Sequence, residues 1–125
     1  MRVILFLFIS ISSLSFSQSD TTIYEVQDIE PEFPGGFVAM MSYVQESIMD
    51  RTFTAEEATC FSSIFIEFVV EKDGSVSNVK AKNKCNSDLS HFEKVFLNSP
   101  TWEPGKRKGQ IIRSRYRIPL TIDLN

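Results

Sequence analysis

Arg113, Arg115 and Arg117 stand at every second position near the end of the chain, between Ile112, Ser114, Tyr116 and Ile118. In a strand, a period of two puts the three guanidinium groups on one face. There they can hold a partner's carboxylates or block edge-to-edge aggregation. Lys80, Lys82 and Lys84 repeat the pattern earlier, and Lys106, Arg107 and Lys108 form a consecutive basic run. These six cations are the groups an anionic envelope polymer such as peptidoglycan would meet, while the alternative for the lysine triplet is a solvated, protected strand edge. Catalysis has no comparable set. His91 is the single histidine, beside Phe92, with no neighbouring acid and nucleophile to complete a triad or a metal site. No catalytic residue, metal ligand or cofactor is expected, and the chemistry on offer is that of a binding surface.

The chain has two cysteines, Cys60 and Cys85, and no CxxC motif. The hairpin between them gives a geometric expectation. If Lys72-Asp73-Gly74 is a three-residue loop with Gly74 left-handed, Glu71 faces Ser75 and paired positions sum to 146. Val76, then Val79 and Ala81, point inward, a change of parity that requires a bulge and moves the sum to 147 farther along. Cys85 then lies opposite Ser62, within two residues of Cys60, which suits a disulfide in an oxidising compartment. Free reactive thiols are the alternative.

Such a compartment is what the N-terminus implies. Met1-Arg2 precedes an apolar, serine-dotted run from Val3 to Phe16, shorter than the ~20 residues a membrane span needs. The run ends in Ser15-Phe16-Ser17, the small-x-small pattern of a cleavage site, with no cysteine at that point for lipidation. Residues 1–17 therefore read as a secretory signal, with Gln18 the first mature residue of a periplasmic protein without a membrane span; an uncleaved anchor is the alternative. The remaining 108 residues make one domain with a modest core. Its charge is uneven: from Asp20 to Asp73 twelve acidic and two basic residues give −10, and from Gly74 onward four acidic and ten basic give +6. Mutual pairing of the two halves is preferred over a basic face awaiting an acidic partner. The acidic pI, near 5.1, of an exported chain disfavours nucleic acid.

The elements that position these residues follow from spacing. Residues 18–31 are an acidic, extended or flexible leader in which only Ile23, Tyr24, Val26 and Ile29 are apolar before Pro31. Phe37, Met40, Met41, Val44 and Ile48 recur at helical spacing after Pro34-Gly35-Gly36. Met49 to Phe61 is irregular, with Thr54 capping a turn at Ala55 to Ala58. Ile64, Ile66, Phe68 and Val70 share the buried face of a strand whose outward face carries Glu67 and Glu71. Leu89, Phe92, Val95 and Phe96 form the stripe of a second helix capped by Asn86 or Ser87 and stopped at Pro100. Trp102 reads as a core plug, Gly105 to Gly109 as a loop, and the arginine-bearing segment as the last strand.

In this order the chain resembles the C-terminal domains of TonB energy transducers of the "FPGG" type. The resemblance is carried by Glu32-Phe33-Pro34-Gly35-Gly36, Phe68 to Val76, Pro100-Thr101-Trp102-Glu103-Pro104-Gly105-Lys106, Gly109 and Tyr116-Arg117-Ile118-Pro119. It spans about Pro31 to Leu124, and the domain that carries it is placed at residues 32–125. It implies an α+β fold of order α-β-β-α-β, a three-stranded antiparallel sheet with two helices on one face. It also implies an exposed last strand that pairs with a segment of an outer-membrane transporter. Main-chain pairing at an edge supplies affinity and alternate side-chain pockets supply specificity, so Arg113, Ser114, Arg115, Tyr116, Arg117 and Ile118 are the expected partner-binding residues. Transducers of this family also carry an inner-membrane anchor and a Pro-rich spacer, and their Tyr-Pro element after the first helix; none is read in this sequence. The expected role is therefore a periplasmic adaptor or competitor that contacts an envelope protein and is not itself an anchored transducer.

Overall fold

The computed structural model describes residues 21–48 and 52–122; the secretory signal and the expected cleavage point before Gln18 lie outside the described residues. In chain order the elements are β1 (Ile23–Tyr24), α1 (Gly36–Ser47), α2 (Ala55–Phe61), β2 (Ser63–Val70) and β3 (Val76–Lys82). They are followed by α3 (Ser90–Leu97), β4 (Lys106–Arg107), β5 (Gln110–Ile111) and β6 (Arg113–Thr121). The architecture is α+β.

The β2–β3 hairpin is organised by its turn. Gly74 has φ 86°, which an L side chain rarely adopts, and Glu71 donates its N–H to Ser75 at 2.8 Å. A Cβ on Gly74 would also stand 2.3 Å from the Trp102 carbonyl oxygen, so two constraints select glycine here. Val70 pairs with Val76 and Val69 with Ser77, after which the register shifts and Glu67 pairs with Lys80. The expected bulge is thus present, with Asn78 at φ 53°. It lets Val76, Val79 and Ala81 all pack against the core.

Ile64, Ile66, Phe68 and Val70 of β2 are buried against Ile118, Leu120 and Ile122, with Met40 and Val44 of α1 and Phe92, Val95 and Phe96 of α3. Trp102 is 2% exposed and meets the Phe68 ring at 5.3 Å and the Phe33 ring edge-on at 5.5 Å. Its indole N–H donates to Ser99 Oγ, so the plug is apolar in body and satisfied at its polar end.

Four features differ from the sequence expectation. The sheet is mixed and four-stranded, in the order β1-β6-β2-β3. Its antiparallel part, β6-β2-β3, is extended by β1, which pairs parallel to β6 through Ile23 with Arg113 and Tyr24 with Ser114. Ile23 and Tyr24 of the leader are therefore built into the sheet, because β6 offers an edge beside them and the next residue, Glu25, meets Arg115 and Arg117. A third helix, α2, replaces an irregular stretch, since Thr54 and Glu57 form a reciprocal capping box that satisfies two end N–H groups. The start of α3 lies later than expected, at Ser90, with Leu89 at the cap position and no side-chain cap. Asn86 is left-handed at φ 54°, Asn83 Oδ1 accepts from Cys85 and Ser87, and Asp88 accepts the Ser90 N–H. Finally, the expected loop from Gly105 to Gly109 is tied up in a second small sheet, the β4–β5 hairpin.

Candidate functional site

Arg113, Arg115 and Arg117 share the sheet face opposite the helices, and each is engaged by carboxylates. Arg113 forms a two-pronged contact with Glu71, Nε to Oε1 at 2.7 Å and Nη2 to Oε2 at 3.0 Å. Arg115 bridges Glu25 at 2.8 Å and Glu67 at 3.1 Å, and Arg117 reaches the same two residues at 2.8 and 3.1 Å. The result is a ladder across β6 and β2, completed by Glu71 just past β2 and Glu25 just past β1. The Arg113 guanidinium, burial acting against it, and the Ser77 hydroxyl hold the Glu71 carboxyl below its ordinary range. Arg115 and then Arg117 do the same to Glu25. The acidic and basic halves of the chain therefore complement each other here, and the three arginines are not a vacant cationic surface.

The remaining expected contact residues are divided by pleat. Ser114 and Ile118 point into the interior and are buried. Tyr116 is half-buried, with its ring 5.6 Å from Phe68 and 5.4 Å from Trp102. Ser114 fits beneath the strap that crosses it: a Cβ on Gly105 would lie 2.2 Å from Ser114 Oγ, and that hydroxyl has no hydrogen-bond partner.

The backbone of β6 has its own polarity. Ile122 donates its N–H to Ser62 at 2.8 Å, and an unbroken register pairs Ser63 with Thr121 through to Val70 with Ser114. Even-numbered residues from Ser114 to Ile122 consequently turn their backbone groups to β2. Those of Arg115, Arg117 and Thr121 turn outward, and Pro119, which has no N–H, sits at the same outward parity. β1 covers this side at Arg113 and Ser114, a parallel register that sets the Arg115 N–H against the Tyr24 carbonyl, so among the described residues no strand pairs with it from Arg117 to Thr121.

The opposite edge is closed. Glu93 of α3 accepts the Ala81 N–H at 3.0 Å, the bulge interrupts the strand at Asn78, and Lys80 and Lys82 are exposed. One edge of the sheet is thus protected and the other open.

Beside the open edge is a groove of about 350 Å³ lined by Phe33, Phe37, Met40, Trp102, Tyr116 and the segment Ile29 to Glu32. Met40, Phe33 and Trp102 are buried beneath it, while Ile29 and Phe37 remain 58% and 57% exposed. A smaller polar notch along Arg115 to Arg117, also bounded by Glu25 and Gln27, meets the groove at Glu30 and Tyr116. Of this groove the sequence expectation contained only Tyr116. Its signal was Phe37, which begins the helical stripe a turn before Met40 and therefore overhangs the sheet beside the Glu32-Phe33-Pro34 bend.

The six cations named for an anionic polymer are not brought together. Lys80 and Lys82 lie on β3 and Lys84 just past it, whereas Lys106, Arg107 and Lys108 belong to the hairpin held against Asp28 and Ile29, beyond β1. β2 and β6 stand between the two groups. Arg107 is instead placed over the Tyr24 ring, 5.3 Å from its centroid. His91 lies edge-on to Phe92 with Nε2 3.4 Å from the Ser47 carbonyl oxygen. Among the described residues no cluster of His, Cys, Asp and Glu is arranged to hold a metal ion, and no helix is long and apolar enough to cross a membrane. Cys60 and Cys85 are joined, with Sγ atoms 2.02 Å and Cα atoms 5.7 Å apart.

No protein family, no characterised protein and no solved structure matches this chain.

Proposed function

We propose that the protein is a periplasmic binding module that captures an extended segment of an envelope protein by adding it as a strand to the outer edge of β6, in the manner of TonB C-terminal domains. A TonB-dependent outer-membrane transporter is the partner class this reading favours, with the module acting as adaptor or competitor. The observation that carries it is the contrast between the sheet edges: β3 is covered at Ala81 by Glu93 and interrupted by a bulge, while Arg117 and Thr121 turn backbone groups to an unpaired side. An edge left open next to one carefully closed is where main-chain pairing with a partner costs least. The resemblance in Glu32 to Gly36, Phe68 to Val76 and Tyr116 to Pro119 points the same way. Arg113, Arg115 and Arg117 contribute by stiffening the strand through Glu25, Glu67 and Glu71.

The test is residue-resolved amide exchange on the mature protein with a partner captured from envelope extract. Slowed exchange at Arg117 and Thr121, with β3 unchanged, is the expected result. Protection confined to Phe37 to Ile48, with β6 exchanging as before, would replace strand addition by a helix-face contact.

A further inference from the structure

The groove beside the open edge carries a charge pattern that narrows what it can accept. Its floor is apolar and rigid, built from Phe33, Met40 and Trp102, each buried in the core. Its walls are Ile29 and Phe37, both more than half exposed. Two large apolar side chains held apart over an apolar floor leave room for one bulky side chain, and about 350 Å³ is of that order. The rim is acidic: Glu30 and Glu32 border the groove, both exposed and neither in a salt bridge among the described residues. After burial, the fields of Glu30 and Glu32 raise the Tyr116 hydroxyl above its ordinary range, so negative potential reaches the strand itself. The nearest arginines do not cancel it, because Arg115 and Arg117 are taken up by Glu25 and Glu67.

We infer that this groove is the specificity pocket of the edge site, and that its ligand is an extended peptide placing a bulky apolar side chain between Ile29 and Phe37 with a lysine or arginine two residues away. The spacing follows from strand geometry: side chains at i and i+2 share a face. Glu30 borders both the groove and the notch that runs along the β6 edge, so a residue displaced by one strand period from the anchor reaches a carboxylate. The inference rests on the edge-strand reading above for the peptide's orientation, while the groove and its acidic rim stand on their own.

The probes are synthetic pentapeptides, Ac-Thr-Trp-Thr-Lys-Thr-NH2, the same peptide with Glu for Lys, and the same with Ala for Trp. They are titrated against the mature protein while the Trp102 indole and Tyr116 backbone resonances are followed. The lysine peptide should bind about tenfold more tightly than the glutamate peptide, attraction to two exposed carboxylates being replaced by repulsion. The alanine peptide should lose measurable binding. Glu30→Gln with Glu32→Gln should erase the lysine preference while tryptophan dependence remains, and Phe37→Ala should weaken both tryptophan peptides; all three residues are exposed, so the fold is not at stake. Equal binding of the lysine and glutamate peptides, or no binding of either at millimolar concentration, overturns the inference. A lysine peptide N-methylated at alternate amides separates the two readings: if it binds as well as its parent, strand addition fails while the pocket assignment stands.

Discussion

At the scale of single residues, the pairing of Arg113 with Glu71 is the strongest electrostatic contact on the open face. It is two-pronged, both side chains are about three-quarters covered, and Ser77 adds a third hydrogen bond. Because Arg113 holds the Glu71 carboxyl below its ordinary value of 4.5, the folded state binds that proton less readily than the unfolded chain. The stabilisation is therefore present above 4.5 and is lost as pH falls through the lower folded value. Urea unfolding midpoints should decline on acidification in this range, and Glu71→Gln should flatten that decline. At neutral pH the substitution should cost about 1 kcal/mol, limited by the remaining solvent access. Replacing Arg113 by alanine therefore tests the fold as well as binding. Arg117 is nearly half exposed and suits a test of binding with little penalty.

At the scale of elements, the polarity of β6 makes opposite forecasts for proline at neighbouring positions. The Ser114 N–H faces β2, so Ser114→Pro removes a ladder hydrogen bond in the sheet interior and should destabilise by about 3 kcal/mol or more. The Arg117 N–H faces outward, in the parity where Pro119 is already accommodated, so Arg117→Pro should retain the folded circular dichroism spectrum and melt close to Arg117→Ala. It should nonetheless abolish partner binding, which Arg117→Ala should only weaken. Retained binding in Arg117→Pro would move the contact off this edge. The alternation of Ile112, Ser114, Tyr116 and Ile118 makes the strand legible in sequence, but which residues donate toward β2 depends on the pairing phase, which side-chain alternation alone does not report.

At the scale of the whole molecule, the Cys60–Cys85 bond ties the last turn of α2 to the segment after β3, across the join between the acidic and basic parts of the chain. Asn83 reinforces the same junction by donating to the Cys60 carbonyl at 3.0 Å. Closing a loop of 25 residues should stabilise by about 3 kcal/mol, chiefly by restricting the unfolded chain. The protein prepared under oxidising conditions should show no titratable thiol under denaturation without reductant, and Cys60→Ser with Cys85→Ser should lower the melting temperature while preserving the fold. Two free thiols in that preparation would contradict this.

Local interactions made much of this molecule readable from its sequence. Gly74 specifies the hairpin turn, the parity of Val76 against Val79 and Ala81 specifies the bulge, and those two together bring Cys85 near Cys60. The stripe from Met40 to Ile48, that from Leu89 to Phe96, and the burial of Trp102 follow from periodicity and size in the same way. Other features rest on partners far apart in the chain, which periodicity does not register. Ile23 and Tyr24 are too short a run to announce a strand, and they become one only because β6 offers an edge and Arg115 and Arg117 bind Glu25. The arginines read as an available cationic face until the sheet sets Glu67 and Glu71 beside them. The groove exists only where the Ile29 to Phe33 segment, the start of α1 and the Trp102 strap converge, three stretches whose individual sequences carry no mark of one another. The fold was thus encoded in short-range pattern, whereas the balance between paired and unpaired charge, and between closed and open edge, was decided by long-range packing.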